Sequence, residues 1–307
     1  MSALVDALDG YLKMRRGFGY KLASQEARLR TFVRFMAERE ATVITAKLAI
    51  EWAGGACGTP TWSSRLSTVR AFARHVANSD PRTEIPPKNV FPPQRRPKPY
   101  ILTDIEIEDL LTTARDWPSQ YGFQRWSLHC IFGLLAVTGL RSSEAINLRR
   151  DDVDLCNSLL HIRDTKFGKS RLVPLDRTAV DALSTYAEQR DVRAVTRSSP
   201  FFLVGDRGAR LRHDSIHRVF MTWAQQAGLR QRGRRGGPRL HDLRHGFAVR
   251  TLVRWYRTGE DVDRLMPMLS TYLGHTHTRD TYWYLSAIPE LMGHAATKLE
   301  RHWEAMA

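Results

Sequence analysis

Apolar residues of the first 80 positions recur at the spacing of amphipathic helices. Between positions 4 and 14 they fall on one helical face, and Ser24 has the character of an N-cap for a second helix. Two more apolar stripes predict helices over 45–53 and 60–77. Four short amphipathic helices predict an all-helical amino-terminal bundle, residues 1–80.

Residues 81–100 break this pattern. Seven prolines fall in this stretch (PRTEIPPKNVFPPQRRPKPY), and proline fixes φ and lacks an amide donor. We therefore predict an extended linker over 81–100 that separates the amino-terminal domain from a second domain, residues 101–307.

The second domain is predicted to be mainly helical. Thr103 and Glu106 have the spacing of a capping box, and the apolar run over 126–138 ends at Gly139. Helices are predicted over 103–114, 126–138, 177–190, 214–227, 242–256, 262–273 and 289–305.

A short antiparallel sheet interrupts these helices. Residues 159–162 and 171–175 alternate as strands do, and the Gly-containing turn 166–169 joins them as a hairpin. A third strand is predicted over 201–204. The fold class is therefore mainly α, with a helical bundle followed by a mixed α/β domain.

The charge of the chain points to a polyanionic partner. Lys and Arg number 47 against 32 Asp and Glu, a net charge of +15, which favours nucleic acid. On spacing alone, a solvated basic face explains Arg65, Arg70 and Arg74 of the fourth predicted helix equally well. The candidate DNA contacts are Arg65, Arg70, Arg74, Arg95, Arg96, Lys98, Lys169, Arg171, Arg232, Arg234, Arg235 and Arg239.

Three unevenly spaced cysteines indicate neither a disulfide framework nor a CxxC metal site. The longest apolar run is too short to span a bilayer, and the first residues lack the features of a signal peptide. We expect a protein of the reduced cytoplasm with no membrane span. Charge alone does not separate DNA from RNA or an acidic membrane as its partner.

Cleavage of a phosphodiester by a protein hydroxyl makes two demands. Charge on the nonbridging oxygens must be neutralised, and the departing sugar oxygen must gain a proton. Arg141 and Arg244 offer the bidentate guanidinium geometry for the first task, with hydrogen bonds from His241 and His275. Lys166 at the hairpin tip is the candidate for the second.

A tyrosine hydroxyl in such a positive field can act as the nucleophile. Attack would give a phosphotyrosyl ester that keeps the energy of the phosphodiester, so strands could be rejoined without ATP. The segment TYWYLS offers two candidates, Tyr282 and Tyr284.

These motifs, taken in order, resemble those of the tyrosine recombinases, also called the phage integrase family. The resemblance rests on TGLRSSE (138–144), TKFGKSRLVPL (165–175), HDLRH (241–245), LGH (273–275) and Tyr284. It covers residues 100 to about 299, while 4–77 resemble that family's SAM-like, DNA-binding core-binding domain less closely. Each motif alone is a weak signal, and the combination is specific.

The resemblance implies roles for individual residues. Arg141, Lys166, His241, Arg244 and His275 would form the activating set. Tyr284, nine residues after His275, would be the nucleophile, and Glu144 would brace the site. His245 is interpreted as structural.

The resemblance also implies the reaction and the assembly. Such proteins cut double-stranded DNA at recombination sites through a 3′-phosphotyrosyl link and exchange strands through a Holliday junction. They act as a tetramer of one recombinase, or of two related ones, without metal or nucleotide.

Three alternatives stay open on the sequence. A type IB topoisomerase-like nicking-closing enzyme would use similar chemistry, and a non-catalytic DNA-binding protein could share the fold. A zinc hydrolase could use His241, His245, His275 and His277, but no HExxH-like acidic partner accompanies them.

Overall fold

The computed structural model describes residues 3–55, 61–92, 97–119, 122–163, 170–193, 198–233 and 236–287, together with 289, 291–293, 296–297, 300 and 303. The chain divides into two compact units, Met1–Pro97 and Lys98–Ala307.

The amino-terminal unit is a helical bundle, as predicted. Its helices are α1 (Ala3–Gly17), α2 (Ala23–Glu38), α3 (Ala46–Gly54) and α4 (Trp62–Val76). Each helix contributes one apolar face to a common core. The most buried side chains of that core include Leu8, Leu12, Leu29, Phe32, Met36 and Phe72.

Helices α3 and α2 begin in different ways. The Thr45 hydroxyl accepts a hydrogen bond from the Leu48 amide (3.3 Å) and caps α3. The predicted cap at Ser24 is wrong, because Leu22 occupies the N-cap position of α2 in a left-handed conformation (φ 50°). The Ser24 hydroxyl instead donates to the neighbouring Gln25 side chain.

The proline-rich segment forms no helix or strand over residues 81–92, but it is not a free linker there. The Glu84 carboxylate accepts from the Ala46 amide (2.7 Å) at the start of α3. Arg70 donates to the carbonyls of Pro86 (2.8 Å) and Pro87 (2.5 Å). Residues 81–92 therefore belong to the amino-terminal unit, which corrects the predicted linker over 81–100.

Eight α-helices of the second unit have both ends within the described residues. They are α5 (Asp104–Arg115), α6 (Gln124–Thr138), α7 (Ser142–Asn147), α8 (Arg177–Asp191), α9 (His213–Gln226), α10 (Asp242–Arg257), α11 (Val262–Leu273) and α12 (Arg279–Ala287). The capping box predicted for Thr103 and Glu106 is present at α5. The described residues of the predicted helix over 289–305 are all helical, namely 289, 291–293, 296–297, 300 and 303, and the others lie outside the described residues.

A three-stranded antiparallel sheet packs beside these helices. Its strands are β1 (Val153–Asp154), β2 (Leu159–Ile162) and β3 (Arg171–Pro174), in that order, with Leu160 opposite Val173. The third strand predicted over 201–204 is wrong. Phe201 and Val204 make only isolated bridges, to Arg149 and Arg210.

Helix α6 belongs to one of the two apolar cores of the second unit and packs against α10, which contributes to the other. Leu128, Ile131 and Phe132 are fully buried in the core shared with α5, α8 and α9. Helices α10, α11 and α12 enclose the other core. Among the described residues we find no helix whose length and hydrophobicity would let it span a membrane.

Candidate active site

Two helices of the second unit end at the candidate site on a glycine in the left-handed conformation. Gly139 (φ 61°) ends α6, and Gly274 (φ 67°) ends α11. A Cβ at Gly139 would lie 2.6 Å from Cδ1 of Phe247, and one at Gly274 would lie 2.9 Å from Nη1 of Arg171. The left-handed conformation favours glycine at both ends, and at Gly139 the Phe247 ring also leaves little space for a side chain.

Three guanidiniums converge on the carboxyl end of α11. The last carbonyls of a helix have no partner within the helix and carry its negative dipole end, so cations are stabilised there. The hydrogen bonds are Arg171 Nε to Tyr272 O (2.7 Å), Arg244 Nη2 to Leu273 O (2.6 Å) and Arg141 Nη2 to Gly274 O (2.9 Å). The two arginines predicted to hold a phosphate are thus held at adjacent carbonyls.

Arg244 also binds the end of the other helix. Its Nη1 donates to the Gly139 carbonyl (2.8 Å), so one guanidinium joins the ends of α6 and α11. Only 2% of the residue is exposed. Burial lowers the pKa of Arg244 to about 10, and the charge of Arg141 acts in the same direction. Arg244 is therefore still a cation at pH 7.

Glu144 fixes the other two arginines. Its carboxylate accepts from the Arg141 amide (2.9 Å) and Arg141 Nη1 (2.7 Å), and from Arg171 Nη1 (3.1 Å) and Nη2 (2.8 Å). Burial alone would raise the pKa of Glu144, but the hydrogen bonds and charges of Arg171 and Arg141 lower it to about 2. Glu144 stays ionised and orients both guanidiniums.

The structure corrects the prediction that Arg171 contacts DNA. The side chain is only 10% exposed, and its guanidinium is occupied by Glu144 and the Tyr272 carbonyl. The sequence identified the charge of Arg171, but not the buried acceptors that use it. Arg171 therefore supports the site by holding Glu144 and the end of α11.

Three other predicted DNA contacts are also occupied within the protein. The Arg65 guanidinium lies 3.8 Å from the Trp52 ring centroid and donates to the Trp52 carbonyl (2.7 Å). Arg70 binds the proline carbonyls described above, and Arg239 binds the Asp242 carboxylate (2.8 Å). Each of these guanidiniums uses at least one of its donors within the protein, so fewer donors are left for a phosphate.

The remaining basic candidates divide into two groups. Arg74, Lys98 and Arg232 are exposed. Arg95, Arg96, Lys166, Lys169, Arg234 and Arg235 lie outside the described residues.

His241 and His275 flank the arginines. His241 occupies the N-cap position of α10. Desolvation of its imidazole and the charge of Arg244 lower the pKa of His241, although the residue as a whole is exposed. His275 follows Gly274, and its Nδ1 lies 2.7 Å from Oγ1 of Thr281. Within the described part of the chain, no group of three or more His, Cys, Asp or Glu side chains is placed to hold a metal ion.

The two candidate tyrosines have opposite environments. Tyr284 is fully buried on α12, and its hydroxyl lies 2.8 Å from Nδ1 of His245. Tyr282 is 41% exposed. Sequence reasoning missed the contacts of His245 and Thr281. The four-residue spacing of His241 and His245, which places both imidazoles on one helical face, was the available signal.

A mainly helical unit with a small antiparallel sheet and this group of arginines, histidines and a tyrosine defines a protein of the tyrosine recombinase class. Residues 101–290 match the model of the phage integrase family. The chain therefore belongs to that family.

Individual relatives agree with this assignment. The Sinorhizobium fredii (strain NBRC 101917 / NGR234) protein named "Putative integrase/recombinase y4rB" is 44% identical over 99% of both chains. Tyrosine recombinase XerC of Chlamydia trachomatis serovar L2 is 30% identical over 72% of this chain and 64% of its own. The Tn1549 transposon integrase, solved in complex with transposon right end DNA, has a similar fold. Its TM-score is 0.66 at 17% identity, over 96% of this chain and 98% of that one.

The close packing at Gly139 leads to a stability prediction. Gly139→Ala should lower the free energy of unfolding by about 3 kcal/mol, because it adds a steric clash with Phe247 to the strain of the left-handed conformation. Gly259→Ala is the matched control, with φ 74° and nothing within 4 Å of its Cβ, and should cost about 1 kcal/mol. Denaturant unfolding measures both. Equal losses would contradict the packing at Gly139.

The ionisation of Glu144 leads to a prediction about pH. Its pKa is about 2 in the folded protein against an ordinary value of 4.5, so its contribution is complete above pH 4.5 and is lost as the pH falls towards 2. Glu144→Gln should lower stability at pH 7 by about 3 kcal/mol, because two arginines lose their carboxylate. It should also flatten the dependence of unfolding free energy on pH over this window.

Denaturant titrations across the same pH range measure this effect. Glu108→Gln, which changes an exposed carboxylate on α5, should leave the wild-type slope unchanged. A Glu144→Gln protein with the wild-type slope between pH 4.5 and 2 would contradict the assignment.

Proposed function

We propose that this protein is a site-specific DNA recombinase that cuts and rejoins double-stranded DNA with Tyr284 as its nucleophile. Arg141, Arg244, His241 and His275 activate the scissile phosphate in this proposal. Lys166, on the β2–β3 connection, protonates the leaving oxygen.

One observation carries the proposal. Arg141 and Arg244 donate to the adjacent carbonyls of Gly274 and Leu273, although the two arginines are 103 positions apart in the sequence. The hydroxyl of Tyr284 lies 2.8 Å from Nδ1 of His245, the residue that follows Arg244 on α10. This arrangement supports the proposal, because a phosphate that reacts with a protein hydroxyl needs positive charge beside it.

The chemistry follows from these groups. The Tyr284 oxygen attacks phosphorus, and the positive charge of Arg141 and Arg244 favours loss of its proton, which passes to solvent water. The phosphorus–oxygen bond to the 5′ sugar oxygen breaks, and that oxygen takes a proton from Lys166. Because Arg141 and Arg244 stabilise charge on the nonbridging oxygens, the barrier falls in both directions. The phosphotyrosyl ester allows rejoining by the reverse reaction.

The amino-terminal unit is proposed to bind the DNA target together with the catalytic unit. The net charge of +15 supports this role, as does the exposure of Arg74, Lys98 and Arg232. In this proposal, recombination sites are brought together by a tetramer of this protein, or of this protein with a related recombinase, and strands exchange through a Holliday junction.

The test uses the purified full-length chain and genomic DNA of its host. Covalent protein–DNA complexes are captured under denaturing conditions, the attached DNA is sequenced, and the enriched sites are cloned in pairs for a strand-exchange assay. We expect a small set of sites and recombinant products without ATP. Relaxation of supercoiled plasmid lacking these sites, without recombinants, would favour a nicking-closing enzyme. Binding without covalent capture would favour a non-catalytic protein.

A further inference from the structure

The hydroxyl of Tyr284 has a specific partner that the proposed reaction does not use. His245, on the first turns of α10, is 4% exposed, and its Nδ1 lies 2.8 Å from the Tyr284 oxygen on α12. A buried phenol needs a hydrogen-bond partner. At this site the partner is an imidazole adjacent in sequence to Arg244.

The imidazole of His245 is itself held in place by aromatic contacts. The His241 ring packs edge-on against it at 4.6 Å between centroids, and the Trp283 ring lies 5.7 Å away. The Tyr284 ring meets it edge-on at 5.4 Å. Because these contacts restrict the ring, the position of Nδ1 fixes the direction in which the phenol oxygen points.

This hydrogen bond also links two helices that carry different parts of the site. Arg244 and His245 are consecutive on α10, so one helix turn fixes both a phosphate-binding group and the partner of the hydroxyl. The Tyr282 side chain is not buried as that of Tyr284 is, because it lies on the exposed side of α12. The contact thus distinguishes the two candidate tyrosines.

We propose that His245 is a positioning residue, which accepts a hydrogen bond from Tyr284 through Nδ1 and holds the phenol oxygen beside Arg244 for attack. The proposal rests on the proposed function of Tyr284. His245 acts by orientation and does not take the proton, because an imidazolium there would be a further buried cation beside Arg244.

Two substitutions at His245 separate orientation from other roles. Asparagine places an amide oxygen close to the position of Nδ1, so His245→Asn keeps the acceptor and loses the titratable group. His245→Leu loses the acceptor. His129→Leu is the matched control, since His129 is also partly buried, and its Nδ1 lies 3.0 Å from the Leu111 carbonyl outside the site.

The measurement is the single-turnover rate of covalent adduct formation at saturating DNA, with the Kd for DNA measured separately. We expect His245→Leu to slow adduct formation by about 100-fold, because a misdirected nucleophile costs a factor of that order. The Kd should stay within about 3-fold, since the contact lies in the interior and not on the DNA. His245→Asn should recover most of the rate, and His129→Leu should match the wild type.

Three outcomes would overturn the proposal. They are a wild-type rate in His245→Leu, a rate in His245→Asn as low as in His245→Leu, and a loss in His245→Leu explained by weaker DNA binding. The second outcome would instead assign proton transfer to His245.

Failure of the proposed function would appear as absence of adduct with the wild-type protein. A second measurement therefore tests the role of His245 without relying on DNA cleavage. Amide hydrogen exchange over α12 does not depend on cleavage. His245→Leu should exchange faster than wild type there, and His245→Asn should not. Wild-type exchange in His245→Leu would overturn the positioning role whether or not the protein cuts DNA.

Discussion

Tyr284→Phe should abolish covalent attachment to DNA while leaving DNA binding intact. The substitution removes only the hydroxyl that we propose as the nucleophile, so we expect adduct formation to fall by a factor of about 10⁴ or more. Loss of the hydrogen bond to His245 should cost about 1–2 kcal/mol of stability. A nicked recombination site, which prevents rejoining, allows the adduct to be counted on a denaturing gel.

Tyr282→Phe is the matched control for this prediction. It removes a hydroxyl two residues away on the same helix, from a side chain that is 41% exposed. We expect wild-type adduct formation. The reverse result, with Tyr282→Phe inactive and Tyr284→Phe active, would reassign the nucleophile.

The second large effect is expected for Arg244→Lys. A lysine cannot donate to the carbonyls of Gly139 and Leu273 and also present a bidentate fork to a phosphate. We expect adduct formation to fall by about 10³-fold, the order found when a transition-state donor is removed. The free energy of unfolding should also fall by about 2–3 kcal/mol, because a buried carbonyl loses its donor.

Arg250→Lys controls for the structural part of this effect. Arg250 lies on the same helix and also donates to two backbone carbonyls, those of Leu102 (3.4 Å) and Ala136 (3.1 Å). We expect a loss of stability but a cleavage rate close to that of the wild type at a temperature where the variant is folded. Equal loss of cleavage in both variants would show that Arg244 acts through folding alone.

Much of the fold could be predicted because its signals are local. The capping box at Thr103 and the stop at Gly139 involve residues within one helix turn, and both are present. The β2–β3 hairpin is likewise a local pattern, and it is present with β3 one residue shorter than predicted. The strand predicted over 201–204 failed, because a short apolar run does not specify whether a neighbouring strand is available.

The partners of the charged residues could not be predicted, because they depend on distant parts of the chain. Arg244 binds a carbonyl 105 residues away, and Arg171 binds one 101 residues away. In the sequence Arg171 therefore resembles other basic residues of the hairpin, while in the fold it supports Glu144 and α11. The same limit applies to Arg65 and Arg70, whose acceptors belong to other segments.

His245 illustrates the difference between motif and geometry. The sequence gives its spacing from His241, but the contact with Tyr284 spans 39 residues and depends on how α12 packs against α10. Its interpretation as structural was incomplete, because the hydrogen bond reaches the proposed nucleophile itself.

The site of covalent attachment tests the central claim most directly. Wild-type adduct formed on a nicked recombination site is digested with nuclease and protease, and the peptide carrying the residual nucleotide is sequenced by mass spectrometry. We predict that the nucleotide is joined to the oxygen of Tyr284. A nucleotide on Tyr282 or on any other residue would contradict the account.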